Sequence, residues 1–131
     1  MGLNLLGDYI ASGGHRVVFM HKDNPNWVVK IAKDNLNFNN AEYNTWLLAK
    51  SINQHDWLIP CIKIIEDGKY LIQELGHDIT TNLIPTNIPN WLKYDYNFAR
   101  QWKLHNNKIK KCDYDHAELD KLKRYIDNKK K

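Results

Sequence analysis

Long apolar runs are missing from this sequence. None approaches the ~20 residues that a membrane-spanning helix needs, and the first residues show no secretory signal pattern. Membrane insertion and export are therefore not expected, and the expected location is the cytoplasm. The opening Met1-Gly2 is like a myristoylation signal, but Leu6 stands where Ser or Thr is required, so this stretch reads as an ordinary first strand. Cysteine is scarce: only Cys61 and Cys112 occur, far apart and inside apolar segments. In a reducing compartment both read as small buried hydrophobes and not as a disulfide. Internal repeats and an interdomain linker are also absent. With 131 residues there is material for one core, and dividing it would leave each half too little buried surface.

What is present is ordinary for a globular domain: 43% hydrophobic and 26% charged residues. The net charge of +4 is unevenly placed. Residues 121–131 hold six cationic side chains against Asp127 alone, so the remainder is slightly acidic. The basic character belongs to a tail, and a nucleic-acid surface on the domain is not expected. Sixteen asparagines and few alanines suggest AT-rich coding, common in phage genomes.

The first half alternates strand and turn signals. Tyr9–Ala11 leads into Ser12-Gly13-Gly14, then Val17–Met20, the turn Asp23-Asn24-Pro25-Asn26, and Trp27–Ala32. A helix is predicted from Asn39 or Asn40 as cap to Lys50. At 100° per residue, Phe38, Ala41, Thr45, Leu48 and Ala49 share one side, with Glu42 in their midst. A carboxylate there needs a cation, and Lys30, inside an apolar strand, is the candidate. Two further strands, Leu58–Ile65 and Tyr70–Leu75, flank the turn Glu66-Asp67-Gly68-Lys69, with Pro60 marking the start of the first. Residues 76–90 read as loop with a helical turn at Asp78–Leu83. A short pair, Trp102–Leu104 and Ile109–Cys112, and a final helix, Ala117–Ile126, complete the chain.

Five antiparallel strands with a helix after the third is the order of a protein kinase small lobe, and the residues carry that resemblance further. Ala11-Ser12-Gly13-Gly14-His15-Arg16 resembles the glycine-rich phosphate loop, with Ala11 and Arg16 at the outer glycine positions. Val28-Val29-Lys30-Ile31 resembles the strand of the phosphate-contacting lysine, and Glu42 its helical partner. Gln73-Glu74-Leu75 is similar to the hinge that receives adenine. Asp113-Tyr114-Asp115 resembles the D-F-G element and Asp95 the catalytic-loop aspartate. The family's second metal ligand should lie five residues after Asp95, where Arg100 stands; Asn97 is nearby. The whole arrangement resembles very short kinase-like proteins encoded by phages.

The resemblance implies a single α+β domain over residues 1–131: a five-stranded antiparallel small lobe (1–75), a strongly reduced catalytic-loop region (76–116) and a basic terminal helix and tail (117–131). It implies ATP or ADP with Mg2+ as cofactor and a nucleotide site at Gly13, Gly14, Lys30, Gln73, Glu74 and Leu75. It implies catalytic roles for Lys30, Glu42 and Asp95, and a metal held by Asp113 with Asn97 or Asp115. Only 16 residues follow Asp115, leaving no room for a peptide-substrate platform. The expected function is a degenerate kinase-like binding module acting on a host protein, the alternative a minimal active kinase. The bland readings stand beside these. Lys30–Glu42 is then a helix-to-sheet ion pair, Gly13-Gly14 a hairpin turn, Asp113 a solvated turn and Asp115 a helix cap. His105, Cys112 and His116 fit no standard zinc spacing. Trp91 and Trp102 are the tryptophans expected to be partly exposed.

Overall fold

The computed structural model describes residues 4–35 and 37–129. Part of the Met1–Leu6 stretch and the two final lysines lie outside them. The chain folds as α+β. Strands β1 (Leu6–Ser12), β2 (Arg16–His21), β3 (Trp27–Ala32), β4 (Cys61–Ile65) and β5 (Tyr70–Glu74) form one antiparallel sheet in the order β1-β2-β3-β5-β4. Helix α1 (Asn37–Ser51) connects β3 to β4.

The β-branched and aromatic residues of β2 and β3 place alternate side chains on the two faces of the sheet. On one face Val29, Tyr70 and Ile72 form a small cluster flanked by Trp27, Ile31, Ile62 and Ile65. On the other, Leu71 and Cys61 join Trp46, Ala49, Leu58, Trp91, Leu92, Tyr114 and Leu122 in the main core. Lys30 pairs in register with Val18 and Leu71, so it belongs to the face that looks at α1.

Helix α1 starts two or three residues before its expected cap. Asn35 accepts a hydrogen bond from the Asn37 amide through its side chain at 2.9 Å, satisfying a first-turn donor. Asn39 and Asn40 are freed for another task. The Asn39 amide group donates to the carbonyls of Lys30, Gly68 and Lys69 at 3.0, 2.9 and 3.2 Å, and Asn40 donates to Asp67 at 2.9 Å. Two adjacent polar side chains thus tie the helix to β3 and to the β4–β5 turn. Gly68 permits this: its φ is +112°, and a Cβ would lie 2.5 Å from the Asn40 side-chain nitrogen.

Pro60 does mark a beginning, since β4 starts at Cys61, while Leu58 makes only an isolated parallel bridge to Lys111. Residues 76–90 differ from the expected loop. His77–Asp78 forms a two-residue strand, β6, and the helical turn is a 3-10 turn at Thr81–Leu83. With β7 (Trp102–His105) and β8 (Lys108–Lys111), β6 makes a second, three-stranded sheet. The β7–β8 hairpin turns through Asn106 and Asn107, both with positive φ, as short-polar side chains allow.

Helix α2 (His116–Lys129) packs on α1 and sends Leu122 into the main core. It covers Trp91, which is 1% exposed; Trp102 is wholly buried, its indole donating to the Tyr96 carbonyl at 2.8 Å. The expected partial exposure of these two rings is therefore wrong: both are core, because the short second half needs large side chains to fill it. Both cysteines are buried and free. Among the described residues no helix is long and apolar enough to cross a membrane.

Candidate functional site

Strand periodicity builds the site floor. Arg16, Val18 and Met20 of β2, Val28 and Lys30 of β3 and Gln73 of β5 alternate onto one face and line a cleft of about 850 Å³. Lys30 is 4% exposed and its ammonium makes three hydrogen bonds: to Glu42 Oε2 at 2.8 Å, to the Cys112 carbonyl at 2.6 Å and to Asp113 Oδ1 at 3.0 Å. Glu42, which is wholly buried, meets the cation that its helical position calls for. Its other oxygen accepts the Tyr114 amide at 2.9 Å, so α1 also fixes the turn after β8.

A second cation joins them. The Arg16 guanidinium donates to Glu42 Oε2 at 2.8 Å and to Asp113 Oδ1 at 3.1 Å, with Asp115 4.0 Å away. Sequence reasoning noted Arg16 only as a missing glycine. The signal that would have found it is the period of two along Arg16, Val18 and Met20, which puts it on the same face as Lys30.

The cluster sets its own ionisation. Burial works against charge on Lys30, but Asp113 and Glu42 overcome it and raise the Lys30 pKa. Burial likewise opposes charge on Arg16, which Glu42 and Asp113 hold above its usual value. Asp113 would be pushed up by burial, yet Lys30 and Arg16 hold it at about 2. Cys112, beside them, is pushed up to about 12 by burial and is an unreactive thiol.

The cleft gathers most of the expected site. Gly13, Gly14, Lys30, Gln73, Glu74, Leu75, Asp95, Asp113 and Asp115 all line it. Glu42 stands behind Lys30. Asn97 is exposed and lies outside the cleft lining. Gly13 and Gly14 face open space, and Lys33 donates to the Gly13 carbonyl at 2.7 Å, steadying the loop. At the expected hinge, the Glu74 and Leu75 amides donate within the chain, to Pro60 at 3.0 Å and Asn26 at 2.7 Å. The Glu74 carboxylate accepts from His105 Nε2 at 2.8 Å, while Lys110 donates to His105 Nδ1 at 3.0 Å. Asp115 provides the first carbonyl of α2, accepting the Leu119 amide at 3.0 Å, which agrees with its reading as a cap position.

Asp95 sits in an exposed turn with φ +52°. The turn is anchored from below by Lys111, fully buried, which donates to the Tyr94 carbonyl at 2.5 Å and pairs with Glu118. Burial pushes the Glu118 carboxyl up to about 7 against the pull of Lys111. This second buried ion pair, at the cleft's lower edge, was not anticipated.

The donor set as arranged does not suit a divalent cation. Asp113 Oδ1 already accepts from both Lys30 and Arg16, whereas Mg2+ wants near-octahedral oxygen ligands free of competing cations. Among the described residues no three His, Cys, Asp or Glu side chains group as a metal site. No known protein-family model matches the chain, and comparison with curated proteins finds no match.

Proposed function

We propose that this chain is a kinase-like nucleotide-binding module that takes ATP or ADP in the cleft and acts by binding, toward a protein partner, with little phosphoryl transfer. One observation carries the reading: the Lys30 ammonium lies between Glu42 and Asp113 on the floor of a cleft edged by Gly13-Gly14. Its volume falls within the ~300–1,000 Å³ usual for small-molecule sites, and cationic donors beneath a glycine turn suit phosphate.

Efficient transfer is disfavoured by what the same cleft contains. Arg100 lines it where a metal-binding asparagine is expected, and phosphoryl transfer relies on positioning and charge neutralisation. Beyond β5 the described residues form one small sheet, short turns and α2. Amide NMR of the 15N-labelled chain tests the reading. Addition of ADP is expected to shift the signals of Gly13, Gly14 and Gly76, all of which line the cleft; unmoved signals at millimolar ADP would refute it.

A second reading, residual kinase activity, is favoured by Asp95 and Asp113 lining one cleft. Radiolabelled phosphate transfer that is robust in the wild type and abolished in both Lys30→Ala and Asp113→Ala would establish it.

A further inference from the structure

Two of the cleft's cations, Arg16 and Lys30, spend most of their donors on carboxylates of their own chain. An ammonium has three N–H groups, and those of Lys30 have three partners. Two are fixed: Glu42 is buried in α1, and the Cys112 carbonyl is backbone. The third is not. Asp113 sits in the short link between β8 and α2, and its side chain is 39% exposed. Its Oδ1 bridges the Lys30 ammonium and the Arg16 guanidinium at 3.0 and 3.1 Å. A single anionic oxygen shared by an ammonium and a guanidinium is the contact a phosphate oxygen would make.

We propose that Asp113 is an internal, displaceable occupant of a phosphate position formed by Arg16 and Lys30, and that the cleft receives a nucleotide phosphate there without a divalent metal. This rests on the nucleotide reading of the same cleft. Within the cluster, Glu42 and Asp113 make the direct contacts to the two cations, and Asp115 stands farther off, 4.0 Å from Arg16. Rotation of the part-exposed Asp113 side chain toward solvent leaves Glu42 and, beyond hydrogen-bond reach of Arg16, Asp115 as counter-charges, so that a donor position shared by Arg16 and Lys30 opens on the cleft floor. Arg16 then supplies locally the charge that a metal ion would bring, on a planar fork suited to phosphate. Asp115, 4.0 Å from Arg16, and Glu118 line the same cleft and oppose an incoming anion, so the resting site favours its own carboxylate and affinity in the wild type is modest.

The two roles for Asp113 predict opposite effects of its removal. A metal ligand, once lost, weakens binding; a competitor, once lost, tightens it. Calorimetric titration of the full chain with ADP, at matched ionic strength with EDTA or with Mg2+, decides between them. Wild-type affinity is expected to agree within about threefold in the two buffers. Asp113→Asn should bind about fivefold or more tightly, since a neutral amide competes poorly for two cations. Arg16→Gln should bind at least about tenfold more weakly, with melting curves showing that both variants fold. A more than tenfold loss in EDTA, or weaker binding by Asp113→Asn, would overturn the proposal while leaving the nucleotide reading intact. No binding by wild type or Asp113→Asn at millimolar ADP would overturn both. Should Asp113→Asn fail to fold, the EDTA and Mg2+ comparison on the wild type decides alone.

Discussion

Arg16 and Glu42, 26 positions apart, meet at 2.8 Å on the same carboxylate oxygen that Lys30 reaches at 2.8 Å. One buried carboxylate thus serves two buried cations, one from each of two neighbouring strands. Removing a partner from a buried pair leaves uncompensated charge and costs about 3–5 kcal/mol. Glu42→Gln is therefore expected to lower stability by at least about 3 kcal/mol, read from the urea midpoint at constant slope. A loss below about 0.5 kcal/mol, in the range of ordinary surface substitutions, would mean that Asp113 alone suffices to hold both cations.

Stability should also depend on pH in two windows of opposite sign. Glu118 is raised to about 7 from its usual 4.5, so the folded state holds its proton more tightly than the unfolded state does. Its contribution is fully present below 4.5 and is lost as pH rises through about 7. Asp113, lowered from 3.8 to about 2, behaves in the reverse way. Its contribution is present above 3.8 and is lost as pH falls toward 2. Urea denaturation across this range is expected to show a maximum in mildly acidic buffer. Glu118→Gln should flatten the neutral limb and leave the acid limb in place. An unchanged neutral limb would show that the Lys111 pairing keeps Glu118 ionised throughout.

The β4–β5 turn offers a purely steric test. Gly68 combines φ +112° with the close approach of Asn40, so Gly68→Ala adds backbone strain and pushes away a side chain that bonds Asp67. A loss of about 1–3 kcal/mol is expected by thermal melting. Adding Asn40→Ala should recover part of it by making room, and strict additivity of the two losses would argue against the contact.

The sequence made the Lys30–Glu42 pairing legible because a carboxylate on an apolar helical stripe has to find a cation, and few strand interiors contain one. The succession of five strands along the chain was legible from β-branched runs punctuated by Asn, Asp, Gly and Pro, whereas the placing of β5 between β3 and β4 was not. Arg16 was harder to place. As a loop residue after Gly13-Gly14 it would point to solvent, and its inward direction follows only once β2 is known to begin there. Strand β6 has two residues, too few for any period to register. The burial of Trp91 and Trp102 depends on how α2 closes over the second half, a tertiary matter that local pattern does not encode. The double use of Asp113 by Lys30 and Arg16 likewise arises from distant segments meeting at one oxygen.

Lys30→Met probes the proposed binding of nucleotide through the cations of the cleft. Methionine fills similar apolar space, and Arg16 remains to neutralise Glu42, so the variant is expected to fold. Equilibrium dialysis of radiolabelled ADP should show saturable binding by the wild type and at least about tenfold weaker binding by a folded Lys30→Met. Equal binding by the two proteins, or none by the wild type at millimolar nucleotide, would rule out a nucleotide site built on Lys30.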